Sequence, residues 1–316
     1  MAQLLTVVVP VYNETAVLEH FHRRLSAVLA GCDADFRILY VDDGSEGECL
    51  AILESLRQQD ERVGVIELSR NFGKEVALSA GLDHAGGDAI ILVDSDLQDP
   101  PELIPEFIAA WREGYDMVYG QRRERRGDSA LKRITAHGFY RVLNRLSDME
   151  IPRDVGDFRL LSRRAVDALR SLPERHRYMK GLYAWVGFPQ KAILYDREAR
   201  AAGKTSWNYW RLWNFALEGI TSFSAAPLKM ATYLGLVTST LSLLYGLFLL
   251  VRTLLFGNPV PGYPSLIIIV LFLGGVQLIC LGIIGEYLAR TYNESKQRTL
   301  YFTKAYHRPR GDREET

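Results

Sequence analysis

Ala89-Ile90-Ile91-Leu92-Val93-Asp94-Ser95-Asp96-Leu97-Gln98-Asp99-Pro100-Pro101 joins an apolar run to a loop rich in aspartate, followed by two prolines. A short β-branched run that stops this sharply predicts a buried strand over Ala89–Val93. Asp99-Pro100-Pro101 predicts a capped helix start with proline in its first turn, the helix running on to Arg112. Asp94-Ser95-Asp96 then lies on the loop at the strand's carboxyl end. Two carboxylates on one such loop are hard oxygen ligands, and magnesium or manganese completes its shell with water and substrate phosphates.

The same pattern extends along the chain. Strands are predicted at Leu4–Val11, Arg37–Val41, Val63–Leu68 and Met117–Tyr119, and helices at Ala16–Ala30, Glu48–Gln58 and Lys74–His84. Strands alternating with helical stretches of this length predict βαβ units and a parallel sheet, an α/β fold. Ligands of such sheets bind at the carboxyl ends of the strands. Pro10-Val11-Tyr12-Asn13-Glu14 follows the first strand and Asp42-Asp43-Gly44-Ser45 the second. Each motif alone is ordinary turn or cap chemistry. Gathered on one edge, their carboxylates repel one another unless a cation joins them. A divalent metal with a diphosphate is the natural partner.

Composition sets the outer bounds. The chain has 316 residues, room for one sizeable domain and an appendage. Its 38 basic and 38 acidic side chains cancel, which argues against a general nucleic-acid binder. Between Lys229 and Gly285 the only charge is Arg252. Two apolar segments in that region, Met230–Val251 and Tyr263–Ile284, each approach the ~20 residues that span a bilayer. With the tight link Gly257-Asn258-Pro259-Val260-Pro261-Gly262 they predict a helical hairpin anchor. Lys229, Arg290, Lys296 and Arg298 flank the spans, so the loop is expected outside and the rest of the chain in the cytoplasm of a plasma (inner) membrane. Trp207-Asn208-Tyr209-Trp210-Arg211-Leu212-Trp213-Asn214-Phe215-Ala216-Leu217 predicts an interfacial stretch before the hairpin. The expected organisation is a catalytic domain over 1–200, amphipathic juxtamembrane helices over 201–229, two spans over 230–289 and a cytoplasmic tail over 290–316. Cys32, Cys49 and Cys280 have no metal-ligand spacing and read as ordinary buried thiols. The N-terminal apolar run stops at Tyr12-Asn13-Glu14 and reads as a strand, not a signal peptide.

Two later stretches add chemistry. Gln121-Arg122-Arg123-Glu124-Arg125-Arg126 and Lys132-Arg133 follow the strand ending at Tyr119. A basic run is usually a solvated face, but at this edge cations could also bind a lipid phosphate or an anionic membrane surface. Asp154-Val155-Gly156-Asp157-Phe158-Arg159-Leu160-Leu161 has a plain reading as a capped turn before a helix beginning near Ser162-Arg163-Arg164. The six histidines share no ligand spacing.

Val8-Val9-Pro10-Val11-Tyr12-Asn13-Glu14, Val41-Asp42-Asp43-Gly44-Ser45, Asn71-Phe72-Gly73-Lys74 and the Asp94–Pro101 loop together resemble glycosyltransferase family 2, with its GT-A fold. Their order and spacing resemble the branch holding dolichyl-phosphate mannose synthases and bactoprenol glucosyltransferases. The hairpin and the tryptophan-rich stretch resemble the bactoprenol subgroup. The resemblance implies an inverting, metal-dependent hexosyltransferase moving a sugar from a nucleotide diphosphate to a polyprenyl phosphate, in the service of cell-envelope or lipopolysaccharide glycosylation. UDP-glucose and undecaprenyl phosphate are the implied substrates, with UDP-N-acetylglucosamine or GDP-mannose as alternative donors. A homo-oligomer is compatible with it. No residue pattern distinguishes glucose from another hexose.

Carried over residue by residue, the resemblance implies that Pro10, Tyr12, Glu14 and Asp42 frame the nucleoside, with Asp43 and Lys74 nearby. Asp94 sits by the ribose or the metal, while Asp96 and Gln98 hold the cation, Mg2+ or Mn2+. Arg122 and Arg133, with Arg126 and Arg200, meet the acceptor phosphate. Arg200-Ala201-Ala202-Gly203-Lys204-Thr205-Ser206-Trp207 resembles the segment that closes over the donor diphosphate; relatives carry a basic residue where Ser206 stands, which leaves Lys204 as the nearby cation. Asp157 takes the position of the acceptor-side base. A phosphomonoester is largely dianionic above its second pKa of about 6, so Asp157 could equally position the acceptor. Two rivals are a processive polysaccharide synthase, which needs a Gln-x-x-Arg-Trp motif absent here, and a non-enzymatic nucleotide-sugar-binding subunit, which has no reason to keep Asp96 and Asp157.

Overall fold

The computed structural model describes residues 3–123, 155–175, 177–196, 224–257 and 262–311. The chain divides into two compact units. One contains the sheet and the residues from Thr299 onward, the other the two long apolar helices.

The first unit opens with β1 (Leu4–Val11), α1 (Leu18–Ala30), β2 (Asp35–Asp42), α2 (Cys49–Gln59), β3 (Val63–Leu68), α3 (Lys74–His84) and β4 (Ala89–Leu92). A 3-10 turn over Pro101–Leu103 leads into α4 (Ile104–Arg112), and β5 (Met117–Arg122) follows. The expected helix over Pro101–Arg112 thus starts one tight turn late. Beyond the next described residue lie β6 (Val155–Ser162), α5 (Arg163–Ser171), α6 (Met179–Trp185) and β7 (Gln190–Tyr195). The strands form one sheet in the order β7-β5-β6-β4-β1-β2-β3, with β8 (Thr303–His307) on its far edge.

β1 to β4 are parallel, as their alternation with helices predicts. Their side chains are buried on both faces, hence the near-continuous Val, Ile and Leu runs. α1 presents Leu18, Phe21, Leu25 and Leu29 at helical spacing to that core, each side chain worth about 1.5–3 kcal/mol of burial. On the other face α3 lies so close to β1 that a Cβ on Gly81 would come 2.2 Å from Val8 Cγ1.

Three strands depart from the sequence reading. Val155–Ser162 is not a capped turn: it is a strand buried along its whole length, antiparallel to both β4 and β5. Gly156, Asp157 and Arg159 hide it, because they are turn-like or charged residues in a strand whose Phe158 packs on Phe107. β7 was not anticipated and pairs parallel with β5. Thr303–His307, expected in the tail, adds antiparallel to β3 and covers that edge of the sheet.

The second unit contains α7 (Ala226–Phe256) and α8 (Tyr263–Ser295), both longer than the predicted spans. Their apolar windows have mean hydropathies of 2.0 and 2.8 and are wholly unburied within the protein. Helices this long and apolar are able to cross a bilayer. Within this unit Tyr287 Oη donates to the Ser224 carbonyl at 2.5 Å. Residues 201–223, the expected juxtamembrane stretch including Trp207–Leu217, lie outside the described residues, and 226–229 already belong to α7.

Candidate active site

Sheet topology brings the acidic segments together. β1, β2 and β4 point their carboxyl ends to one edge, and β6, running the other way, starts there. β4 and β6 pair with Leu92 opposite Arg159, so two residues further along the same register Asp94 faces Asp157. Neither residue alone carries a signal for that meeting.

The loops at this edge are tied by their own polar groups. Ser45 N–H donates to both Asp42 oxygens at 3.2 and 3.3 Å, and Asn13 N–H donates to Ser45 Oγ at 2.9 Å. Gly44 adopts φ +72° and presses on the next loop; a Cβ there would sit 2.4 Å from the Arg70 carbonyl carbon. Asp43 accepts the backbone N–H groups of Phe72 at 2.7 Å and Gly73 at 2.9 Å. Its carboxylate therefore caps the loop that starts α3, and Lys74 is the first residue of that helix. Burial pushes the Asp42 and Asp43 carboxyls up, and these N–H groups oppose the shift.

Lys74 is the hub. Its Nζ lies 2.6 Å from Asp94 Oδ2 and 2.7 Å from Asp157 Oδ2. Burial disfavours the ammonium, but the two carboxylates outweigh it and hold Lys74 charged well above the usual lysine range. Asp94 is pushed up to about 6, by burial first and also by Asp157 and Asp99, with Lys74 opposing. Asp157, also desolvated, is nonetheless held below the usual carboxylate range by Lys74 and Lys180. The Glu75 carboxyl, pushed up to about 8 by burial and by the Asp157 charge, accepts Met179 N–H at 3.3 Å.

A second polar group stands beside this one. Asp99 is 1% exposed, and its Oδ1 accepts a very short bond from Tyr195 Oη. Arg122 Nε donates to the same phenol oxygen at 3.5 Å. A Cβ on Gly156 would come into ordinary contact with Arg122 Nη2 at 3.4 Å and Asp99 Oδ2 at 3.6 Å, which places both groups over this glycine. Arg159, buried beneath, stacks on the Tyr183 ring at 3.5 Å and donates to the Gly156 carbonyl at 3.1 Å. Among the described residues, Asp99 Oδ2 and Asp157 Oδ1 are buried without a hydrogen-bond partner. Buried carboxylate oxygens in that state call for a donor or cation that arrives later.

The description "Glycosyl transferase family 2" matches residues 6–170, and "GtrB C-terminal hairpin" matches residues 226–291. The chain belongs to glycosyltransferase family 2. The sheet is its GT-A fold, and the paired apolar helices are its hairpin. An uncharacterized glycosyltransferase of Synechocystis is 54% identical over 297 residues, 94% of this chain and 93% of its own. The SfII prophage-derived bactoprenol glucosyl transferase of Shigella flexneri is 47% identical over 304 residues, 96% and 98%. A prophage bactoprenol glucosyl transferase homolog of Escherichia coli K12 is 46% identical over 300 residues, 95% and 98%.

In this glycosyltransferase the expected site residues distribute as follows. Pro10 is buried one residue before the end of β1, Tyr12 stands 48% exposed beyond that end, and Glu14 is half-buried. Asp42, Asp43, Lys74, Asp94, Asp157 and Arg122 share the carboxyl-end edge. Asp96 accepts the Gln98 N–H at 3.1 Å, a local turn in which Leu97 takes φ 59°. Arg126, Arg133, Arg200 and Lys204 lie outside the described residues. Lys74, expected beside the nucleotide, is bonded to the acids. Tyr195, Glu75 and Arg159 join the site without a motif in the sequence to announce them, and Asp99, which reads as a helix cap, is held by Tyr195; partners that meet across distant segments leave no local signature.

The residues also bear on a metal. Among the described residues no three histidine, cysteine or acidic side chains form a ready cage. Magnesium-type sites need only one or two carboxylates when substrate phosphates supply the rest. Asp94, which meets Asp157 at the Lys74 ammonium beside a partnerless Asp157 oxygen, fits that mode, with Asp96 a second hard oxygen donor on the same loop.

Proposed function

We propose that this glycosyltransferase transfers a hexose, glucose from UDP-glucose, to undecaprenyl phosphate at the cytoplasmic face of the membrane. The observation that carries this reading is the fusion of the acidic GT-A edge to a hairpin able to cross a bilayer. The full-length likeness to proteins named bactoprenol glucosyl transferase supports the acceptor and the sugar. Because β8 returns to the catalytic sheet, the residues on both sides of the hairpin belong to one folded unit. Two crossings satisfy that constraint, as does the flanking positive charge.

The reaction is one in-line displacement with inversion. An oxygen of the lipid phosphate bonds to the anomeric carbon, the bond to the nucleotide's β-phosphate oxygen breaks, and its electron pair leaves on the diphosphate. A dianionic acceptor needs no proton removed. Asp42 and Tyr12 frame the nucleoside at the ends of β2 and β1. Asp94, Asp96 and Gln98 would hold Mg2+ or Mn2+, which when bound would supply Lewis-acid stabilisation to the departing diphosphate. Arg122, braced by Tyr195 and Asp99, meets the acceptor phosphate, and Arg126, Arg133 and Arg200 are proposed to add to it, with Lys204 on the donor side. Asp157, paired with Lys74, positions the acceptor; the ammonium holds its carboxyl below the usual range, which weakens it as a base.

The test is transfer of radiolabel by the purified full chain from UDP-glucose, UDP-N-acetylglucosamine or GDP-mannose to polyprenyl phosphate. An organic-extractable product from UDP-glucose, and only background from the others, is expected. A preference for another donor overturns the sugar assignment. No lipid product from any donor overturns the reading itself.

A further inference from the structure

Lys74 occupies the place between Asp94 and Asp157 that a cation shared by these acids would take. Its Nζ contacts both carboxylates, whose side chains are only 20% and 11% exposed, while its own is 44% exposed. The lysine thus reaches in from the solvent side. Its backbone is anchored at the start of α3 by the Asp43 bonds to Phe72 and Gly73 N–H. Opposite-charge neighbours this close make the acids compatible without any metal. They also make a bare divalent cation compete with a tethered ammonium already in contact.

We propose that Lys74 is an internal counterion: it holds Asp94 and Asp157 in the nucleotide-free enzyme, keeps free divalent metal out, and yields Asp94 to metal arriving with the nucleotide diphosphate. This rests on the proposed metal role of Asp94. It makes Lys74 a positioning residue, because its action on the sugar donor passes through the acids. A flexible four-carbon stem with a point charge suits a contact that must be given up, where a bidentate guanidinium would not. After exchange the ammonium keeps its contact with Asp157. Ordered entry follows: metal and nucleotide bind together, and free metal alone binds weakly.

The experiment is Mn2+ titration of the full chain in detergent, read by loss of the free-ion EPR signal, with and without UDP. Wild type is expected to bind Mn2+ in an Asp94-dependent manner with UDP and weakly without it. Lys74→Gln is expected to bind Mn2+ without UDP about tenfold more tightly than wild type, or more, a gain of about 1.4 kcal/mol. Lys74→Arg retains the charge and is expected to leave nucleotide-free binding weak. A folded Lys74→Gln protein with wild-type affinity for Mn2+ alone overturns the counterion role while leaving the metal reading intact. So does wild type that binds Mn2+ equally well without UDP, a comparison that needs no variant. If UDP brings no Asp94-dependent Mn2+ to wild type, the metal reading falls and the counterion role with it.

Discussion

Replacing Asp157 by asparagine tests whether that side chain removes a proton or places the acceptor. The amide keeps an oxygen to accept from Lys74, where Asp157 Oδ2 now lies at 2.7 Å, and it brings an NH2 to the buried position of the partnerless Oδ1. Lys74 retains Asp94 at 2.6 Å. The ion pair becomes an ammonium-to-amide hydrogen bond that the Lys74 charge still assists, so only the carboxylate's share of a contact of about 1.5–3 kcal/mol is lost, on the order of 1.5 kcal/mol. Because 44% of the Lys74 side chain is solvent-exposed, screening trims the difference to about 1 kcal/mol or less. A domain of this size then loses about 2–4 °C in Tm, so the variant folds. Its effect on transfer is larger. Losing a positioning contact of about 1.5–3 kcal/mol lowers kcat/KM for the lipid by roughly 10- to 150-fold. The assay is initial rate against polyprenyl phosphate concentration from pH 6.5 to 8.5. The positioning role predicts a similar depression at every pH, because the acceptor ionises with a second pKa of about 6 and is already dianionic over most of that range. An obligatory base predicts recovery as hydroxide and the fully ionised acceptor make it dispensable. A variant profile that climbs to the wild-type rate above pH ~8 would refute the positioning role.

Tyr195→Phe removes the donor to Asp99 and the neighbour of Arg122 Nε. It is expected to raise the lipid KM several-fold with little change in the UDP-sugar KM, and equal effects on both would disprove the brace. For Glu75, the folded-state carboxyl titrates near 8 and the unfolded one near 4.5, so the native state holds an extra proton between those values. Stability from this group is therefore present below about pH 4.5 and is lost as pH rises toward 8. Glu75→Gln, a mimic of the protonated form, should flatten the fall in Tm between pH 5 and 8.5; an unchanged slope rules out the assignment. Deleting everything after Lys296 strips β8 from β3 and leaves a row of unpaired backbone groups. A lower Tm and faster aggregation in detergent are expected, and identical melting would show that the strand contributes nothing.

Much of this protein was legible in its sequence because the signals are local. Alternating β-branched runs and amphipathic stretches locate β1 to β5 and α1 to α4, since each element must bury one set of side chains at its own period. The acids after Val11, Val41 and Val93 mark the functional edge, because strand ends are where such loops collect. The uncharged stretches around Arg252 locate the hairpin by length and hydropathy alone. Tertiary structure decided the rest. Val155–Ser162 reads as a turn until two flanking strands cover it, and only their register sets Asp157 opposite Asp94. Tyr195 reaches Asp99 across a separation of 96 residues. Thr303–His307 becomes a strand because β3 offers it an open edge, not because its own sequence demands it. Lys74 looks like any lysine beginning a helix; two carboxylates from β4 and β6 make it the centre of the site. Periodicity records which face a residue shows, whereas ion pairs and strand neighbours depend on where distant segments arrive.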